Sequence, residues 1–137
     1  SVLGTDISDR VLTQAVEGVY PLDRLRLVPP ERVRRHCLRG EGPSDGLVQI
    51  QPRLRRRVRF GQLNLCAPIE DLGPFDIVFL RNVLIYFDPP TKHAVVDRVL
   101  SQLRPGGLFL VGTAEGRVGC DTPLEPLAAG VFRKAQR

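Results

Sequence analysis

Three polar residues follow an apolar run closely enough to do chemistry together. In FDIVFLRNVLIYFD, Phe75 to Asp88, the residues Ile77, Val78, Phe79 and Leu80 are followed at once by Arg81 and Asn82, with Tyr86 four residues later. An apolar run of this kind has the pattern of a strand buried on both faces of a parallel sheet. Arg81 and Asn82 then stand at its carboxyl end, where open α/β sheets place their ligands. Asp6 holds the equivalent position at the end of SVLGTDI. A carboxylate there can accept hydrogen bonds from both hydroxyls of a ribose, or it can merely begin the next turn. Asn64 closes a later strand with an amide that both donates and accepts, as adenine recognition requires; a turn-forming Asn explains the position equally well.

The elements that must hold these residues can be read from periodicity and caps. Ser8 can cap a helix with Val11, Leu12, Ala15 and Val16 on one face and Gly18 as its stop. Pro21 to Pro30 reads as a connector and Glu31 to Leu38 as a short helix entered through Pro29-Pro30. Arg39 to Gly46 is a Gly- and Pro-rich turn without the spacing of a phosphate loop. Leu47 to Ile50 and Arg55 to Asn64 read as strands with one buried face, their arginines turned to water. Asp88 caps a helix through Leu103 with Val95, Val96, Val99, Leu100 and Leu103 as its stripe, and His93 on the opposite side. Leu108 to Val111 is another apolar strand, Gly116 to Leu127 a loop, and Val131 to Lys134 a final edge strand. Strands alternating with helices imply an α/β fold with a parallel sheet, interrupted by a small antiparallel insertion.

Composition bounds the function classes. The chain of 137 residues fits one domain, with 42% hydrophobic and 26% charged residues. No apolar run approaches the roughly 20 residues of a membrane span, so a soluble protein without membrane insertion is expected. No export signal is evident at the N-terminus. Cys37, Cys66 and Cys120 are odd in number and lack CxxC spacing, which argues for reduced thiols in a cytoplasm and against a metal site. The formal charge of +5 is carried by arginines clustered from Arg24 to Arg59. They are compatible with an acidic partner or with a solvated basic face. Only Phe60 lies near them, so a base-stacking platform, and with it nucleic acid, is not expected.

The segments TDIS, LTQAVEGVYPL, HCLRGEGPSDGLVQI, RFGQLNL, GPFDIVFLRNVLIYFD and LRPGGLFLVG together resemble the CheR-type methyltransferases of bacterial chemotaxis, in family order and over most of the chain. The resemblance implies a Rossmann-like class I methyltransferase sheet using S-adenosylmethionine, released as S-adenosylhomocysteine, to methylate glutamates of chemotaxis receptors. It implies that Asp6 binds the cofactor ribose, that Asn64 and Leu65 border the adenine, that Arg81 and Asn82 line the cofactor pocket, and that Tyr86 stands near the transferred methyl group. About residues 36–60 would form the inserted β-subdomain, whose turn at Arg39, Gly40, Gly42, Gly46 and Leu47 is similar to that of members docking a receptor's C-terminal tail peptide. A non-catalytic module that docks receptor tails or acidic receptor helices through this basic subdomain is the alternative.

The same resemblance places the family's N-terminal helical domain, first nucleotide-binding strand and glycine-rich turn before TDIS, so this sheet is expected to be incomplete at its N-terminus. GTAEG follows the last parallel strand, with Thr113 where the family has His. Unpaired strand edges must be covered or paired. The expectation is a homo-oligomer, a strand exchange, or direct pairing of the TDIS and FDIVFL strands.

Overall fold

A computed structural model describes residues 1–115 and 118–136. The chain is a mixed α/β protein dividing into two compact units, Ser1–Leu63 and a second from Asn64 onward.

In the first unit, strand β1 (Val2–Asp6) leads into helix α1 (Asp9–Glu17). Ser8 caps it by accepting from the Val11 N–H, and Gly18 ends it at φ 64, a left-handed conformation that glycine adopts without Cβ strain. Three short strands, β2 (Val19–Pro21), β3 (Cys37–Arg39) and β4 (Leu47–Ile50), form an antiparallel sheet in the order β2-β4-β3. Helix α2 (Pro30–His36) precedes β3, and the single turn α3 (Pro52–Arg55) follows β4. Strand β5 (Val58–Gln62) returns parallel to β1, with Asp6 opposite Gln62.

Three sequence expectations change here. The small sheet draws its first strand from Val19–Pro21, which begins just after the Gly18 helix stop and runs into the expected connector, and it is complete by Ile50. Residues 58–60, expected inside the insertion, belong to the parallel pair with β1. Three residues are too few for an alternation signal, and a strand's partner is not written in its own periodicity. Nor do all the arginines face water. Arg55 Nη1 donates to the carbonyls of Val16 (3.3 Å) and Glu17 (3.0 Å), closing the carboxyl end of α1, and Arg53 Nη2 donates to Arg35 O at 2.6 Å.

The second unit holds a four-stranded sheet in the order β6-β7-β9-β8, from β6 (Phe75–Leu80), β7 (Leu103–Val111), β8 (Leu124–Ala128) and β9 (Val131–Lys134). Only β6 and β7 are parallel. Helix α4 (Pro89–Ser101) connects them, starting at Asp88, whose Oδ1 accepts the Thr91 N–H at 2.8 Å. Its stripe of Val95, Val96, Val99 and Leu100 is buried with Leu80, Leu84, Leu103, Phe109 and Val111. Burying each such side chain contributes on the order of 2 kcal/mol. Gln102 is buried but satisfied: its Oε1 accepts the N–H groups of Leu72 and Gly73, which anchors the approach to β6.

The strand Phe75–Leu80 is present, but it is not buried on both faces. Leu80 is buried and Val78 packs against the core, whereas Ile77 and Phe79 are 49% and 67% exposed. An unbroken apolar run states what a strand can bury, not what the fold brings against it. Val131–Lys134 is likewise no edge strand; it lies between β7 and β8, and the edge is the strand Leu124–Ala128, read as loop. Within the expected loop Gly116 to Leu127, residues 116–117 lie outside the described residues. Within the first unit β1 pairs with β5, and within the second β6 pairs with β7. No helix among the described residues is long and apolar enough to cross a membrane.

Candidate functional site

The expected cofactor residues fall in both units. In the first, Asp6 ends β1 half-buried. Its Oδ1 accepts the Ser8 N–H at 2.8 Å, and its carbonyl accepts the Leu63 N–H at 3.0 Å. The turn role is therefore real, and it occupies one carboxylate oxygen. Among the described residues Oδ2 has no hydrogen-bond partner.

In the second unit, Asn64 Oδ1 accepts the Cys66 N–H at 2.9 Å, again a turn-forming contact. Leu65 packs against the core while its carbonyl accepts Arg98 Nη1 at 3.0 Å. Arg81 and Asn82 are exposed directly after β6. Asn82 has φ 59, the one left-handed non-glycine among the described residues. Asn tolerates this conformation better than most side chains, and such departures gather at functional turns. Leu84 is buried at 2% exposure, and two residues on Tyr86 is 79% exposed. At that exposure Tyr86 is not a core side chain.

Sequence reasoning missed the residue that holds this turn. Glu115 Oε1 accepts the N–H groups of Val83 (3.1 Å) and Leu84 (3.0 Å), while Oε2 accepts the Gly112 N–H at 2.7 Å. Burial alone would raise its pKa, but the N–H donors of Gly112, Leu84, Val83 and Asn82 outweigh that and hold the carboxyl below its usual range. One carboxylate thus ties the end of β7 to the turn after β6. The signal available in the sequence is the acid of GTAEG itself, directly after an apolar strand.

The residues expected from the resemblance to dock a tail peptide form one hairpin. Arg39 ends β3 opposite Val48, and the Gly40 N–H donates to Leu47 O at 2.9 Å. Gly42 and Gly46 have φ 56 and 79, and a Cβ at Gly40 would collide with the Ser44 carbonyl. These glycines are required by the turn. Two open hollows lie elsewhere: one lined by Val16, Arg55, Arg56 and Phe60, the other by Asp97, Asp121, Thr122 and Lys134.

Residues 1–128 match the family described as CheR methyltransferase, SAM binding domain. The chain belongs to the CheR family. The cofactor of that domain is S-adenosylmethionine. Among similar proteins, a chemotaxis protein methyltransferase of Klebsiella aerogenes is 44% identical over 115 residues, covering 83% of this chain and 40% of that protein. Chemotaxis protein methyltransferase 2 of Pseudomonas aeruginosa is 42% identical over 135 residues, covering 98% and 48%. The chemotaxis protein methyltransferase of Escherichia coli is 39% identical over 115 residues, covering 83% and 40%. The chain therefore spans less than half the length of each of these relatives.

Proposed function

We propose that this chain is the cofactor-binding part of a cytoplasmic protein-glutamate O-methyltransferase, with a Rossmann-like sheet, that methylates chemotaxis receptors during sensory adaptation. The observation that carries the reading is the exposed Arg81–Tyr86 turn at the carboxyl end of β6, inside the segment matching a SAM binding domain. The residues present suit that cofactor: a carboxylate oxygen of Asp6 without a partner among the described residues for a ribose hydroxyl, Asn64 and Leu65 for the adenine, and Arg81 and Asn82 for the rest of the pocket.

When bound, S-adenosylmethionine supplies an activated methyl group. The chain's residues need not supply a base. A glutamate side chain, with a pKa near ~4.3, is already a carboxylate at neutral pH, so positioning and exclusion of water are what remain to be provided. In this reading Tyr86 orients the substrate carboxylate through its phenol and abstracts nothing. Calorimetric titration of S-adenosylmethionine, with detection of base-labile methyl esters on receptor glutamates, tests the proposal in the complete protein. Loss of the Asp6 carboxylate in Asp6→Ala should weaken cofactor affinity about 10- to 100-fold, the worth of one charge-assisted hydrogen bond pair. Unchanged affinity would remove Asp6 from the site.

Receptor recognition is proposed to use the hairpin at Arg39, Gly40, Gly42, Gly46 and Leu47 together with the basic first unit. Residues 1–63 carry 12 arginines against 7 carboxylates, so the whole formal excess of +5 resides there. Among its described residues no arginine is paired with a carboxylate within 4.0 Å. This observation also favours the second reading, a docking module. Association with an acidic receptor tail peptide should weaken as salt rises from about 0.1 M to 1 M, because the Debye length falls from about 10 Å to 3 Å. Fluorescence anisotropy of a labelled tail peptide measures it, and salt-insensitive binding would rule the arginines out as the contact.

A further inference from the structure

Outside these residues, three metal-ligating groups converge in the second unit. His93 and Asp97 lie one turn apart on α4, and Asp121 comes from the segment leading to β8. His93 Nε2 is 3.2 Å from Asp97 Oδ2 and 3.2 Å from Asp121 Oδ1, and one donor atom from each residue lies within 4.8 Å of the other two. A single imidazole nitrogen carries at most one proton, so it cannot give both carboxylates a full hydrogen bond. A separation of 3.2 Å is instead close to the edge between two ligands held about 2.0–2.1 Å from one zinc ion. Among the described residues neither carboxylate has a Lys or Arg within 4.0 Å.

The surroundings pre-orient these donors. Asp97 Oδ1 accepts the Thr122 hydroxyl at 2.9 Å and the Thr122 N–H at 3.1 Å, the Asp121 N–H is shared between Oδ1 and Oδ2 at 3.1 Å each, and Oδ2 lies 3.2 Å from His93 Nε2. Asp97 and Asp121 also line an open hollow of about 530 Å³, which gives water access to complete a coordination sphere.

We propose that His93, Asp97 and Asp121 bind a divalent transition-metal ion, zinc by ligand type, clasping the segment before β8 onto α4. A neutral imidazole with two carboxylates suits zinc and not magnesium, which takes oxygen ligands in octahedral geometry. This site does not depend on the proposed methyl transfer.

The chain has two histidines, His36 and His93, so their ring protons can be followed by NMR in the unmodified protein. Addition of Zn²⁺ should move the His93 signals saturably at one equivalent and leave His36 in place, while Mg²⁺ moves neither. His93→Gln should remove the one-to-one Zn²⁺ binding measured by calorimetry with the three cysteines alkylated. Asp121→Asn should weaken it at least about 10-fold, and Thr122→Val, which frees Asp97 from its hydroxyl donor, about 10-fold. Circular dichroism of each variant confirms that it is folded. Zn²⁺ affinity unaltered by His93→Gln, or a His93 signal indifferent to zinc, would overturn the proposal.

Discussion

Phe109→Ala is expected to lower the stability of the second unit by about 4 kcal/mol. Its side chain is fully buried at the centre of β7, in the cluster with Leu100, Leu103 and Val95, and its ring centroid lies 6.4 Å from that of Phe132 on the neighbouring strand. Alanine leaves a ring-sized void that helix and sheet cannot close without moving one another, so the lost transfer free energy and the cavity cost add. A whole small domain is held by only about 5–15 kcal/mol, so the variant should sit near its unfolding threshold at room temperature. With a urea slope of about 2 kcal/mol per molar, the midpoint should fall by about 2 M. Phe79→Ala provides the contrast, since that ring is 67% exposed on β6 and its loss should cost less than about 0.5 kcal/mol. Urea unfolding followed by far-UV circular dichroism measures both. Equal costs for the two phenylalanines would refute the one-sided covering of this sheet.

The same pair of residues marks what a sequence can and cannot declare. Phe79 and Phe109 each sit in an apolar run, and both runs are strands, as their composition predicts. Which side chains are covered depends on α4 packing against one face, and that fact lies in a helix elsewhere in the chain. Caps were legible because they are local: Ser8, Gly18 and Asp88 act on atoms within a few residues of themselves. Strand partners were not. The short strand Val19–Pro21 offers no period, and β5 looks the same whether it joins a hairpin or lies parallel to β1. Among the candidate site residues, Asn82 and Tyr86 stand out by their place after an apolar strand. Glu115, at least as informative, is less legible, because its partners are backbone N–H groups, which leave no imprint in residue types.

Glu115 therefore gives the sharpest functional prediction. Its carboxylate satisfies the N–H groups of Val83, Leu84 and Gly112, none of which has another partner among the described residues. Glu115→Ala leaves three partly buried donors unpaired, each costing on the order of 1 kcal/mol or more, so a loss of about 3 kcal/mol is expected. Glu115→Gln keeps one oxygen acceptor and loses the charge, and should cost about 1 kcal/mol. The pH dependence separates the charge from the shape. Because the folded carboxyl titrates below its usual range, it contributes stability that is present above the unfolded pKa of about 4.3 and is lost as pH falls through the lower folded value. The wild-type advantage over Glu115→Gln should accordingly be full at neutral pH and shrink as the solution becomes more acidic than about pH 4. Urea midpoints measured across that range test it, and a difference that does not change with pH would mean that the ionised carboxylate is not what holds the turn. The same turn presents Arg81, Asn82 and Tyr86, so in the complete protein Glu115→Ala should weaken S-adenosylmethionine binding although Glu115 itself is a positioning residue spent on backbone contacts. Rescue of that affinity by Glu115→Asp, which keeps the charge on a shorter arm, should be partial, whereas full cofactor affinity in Glu115→Ala would separate the turn from the cofactor altogether.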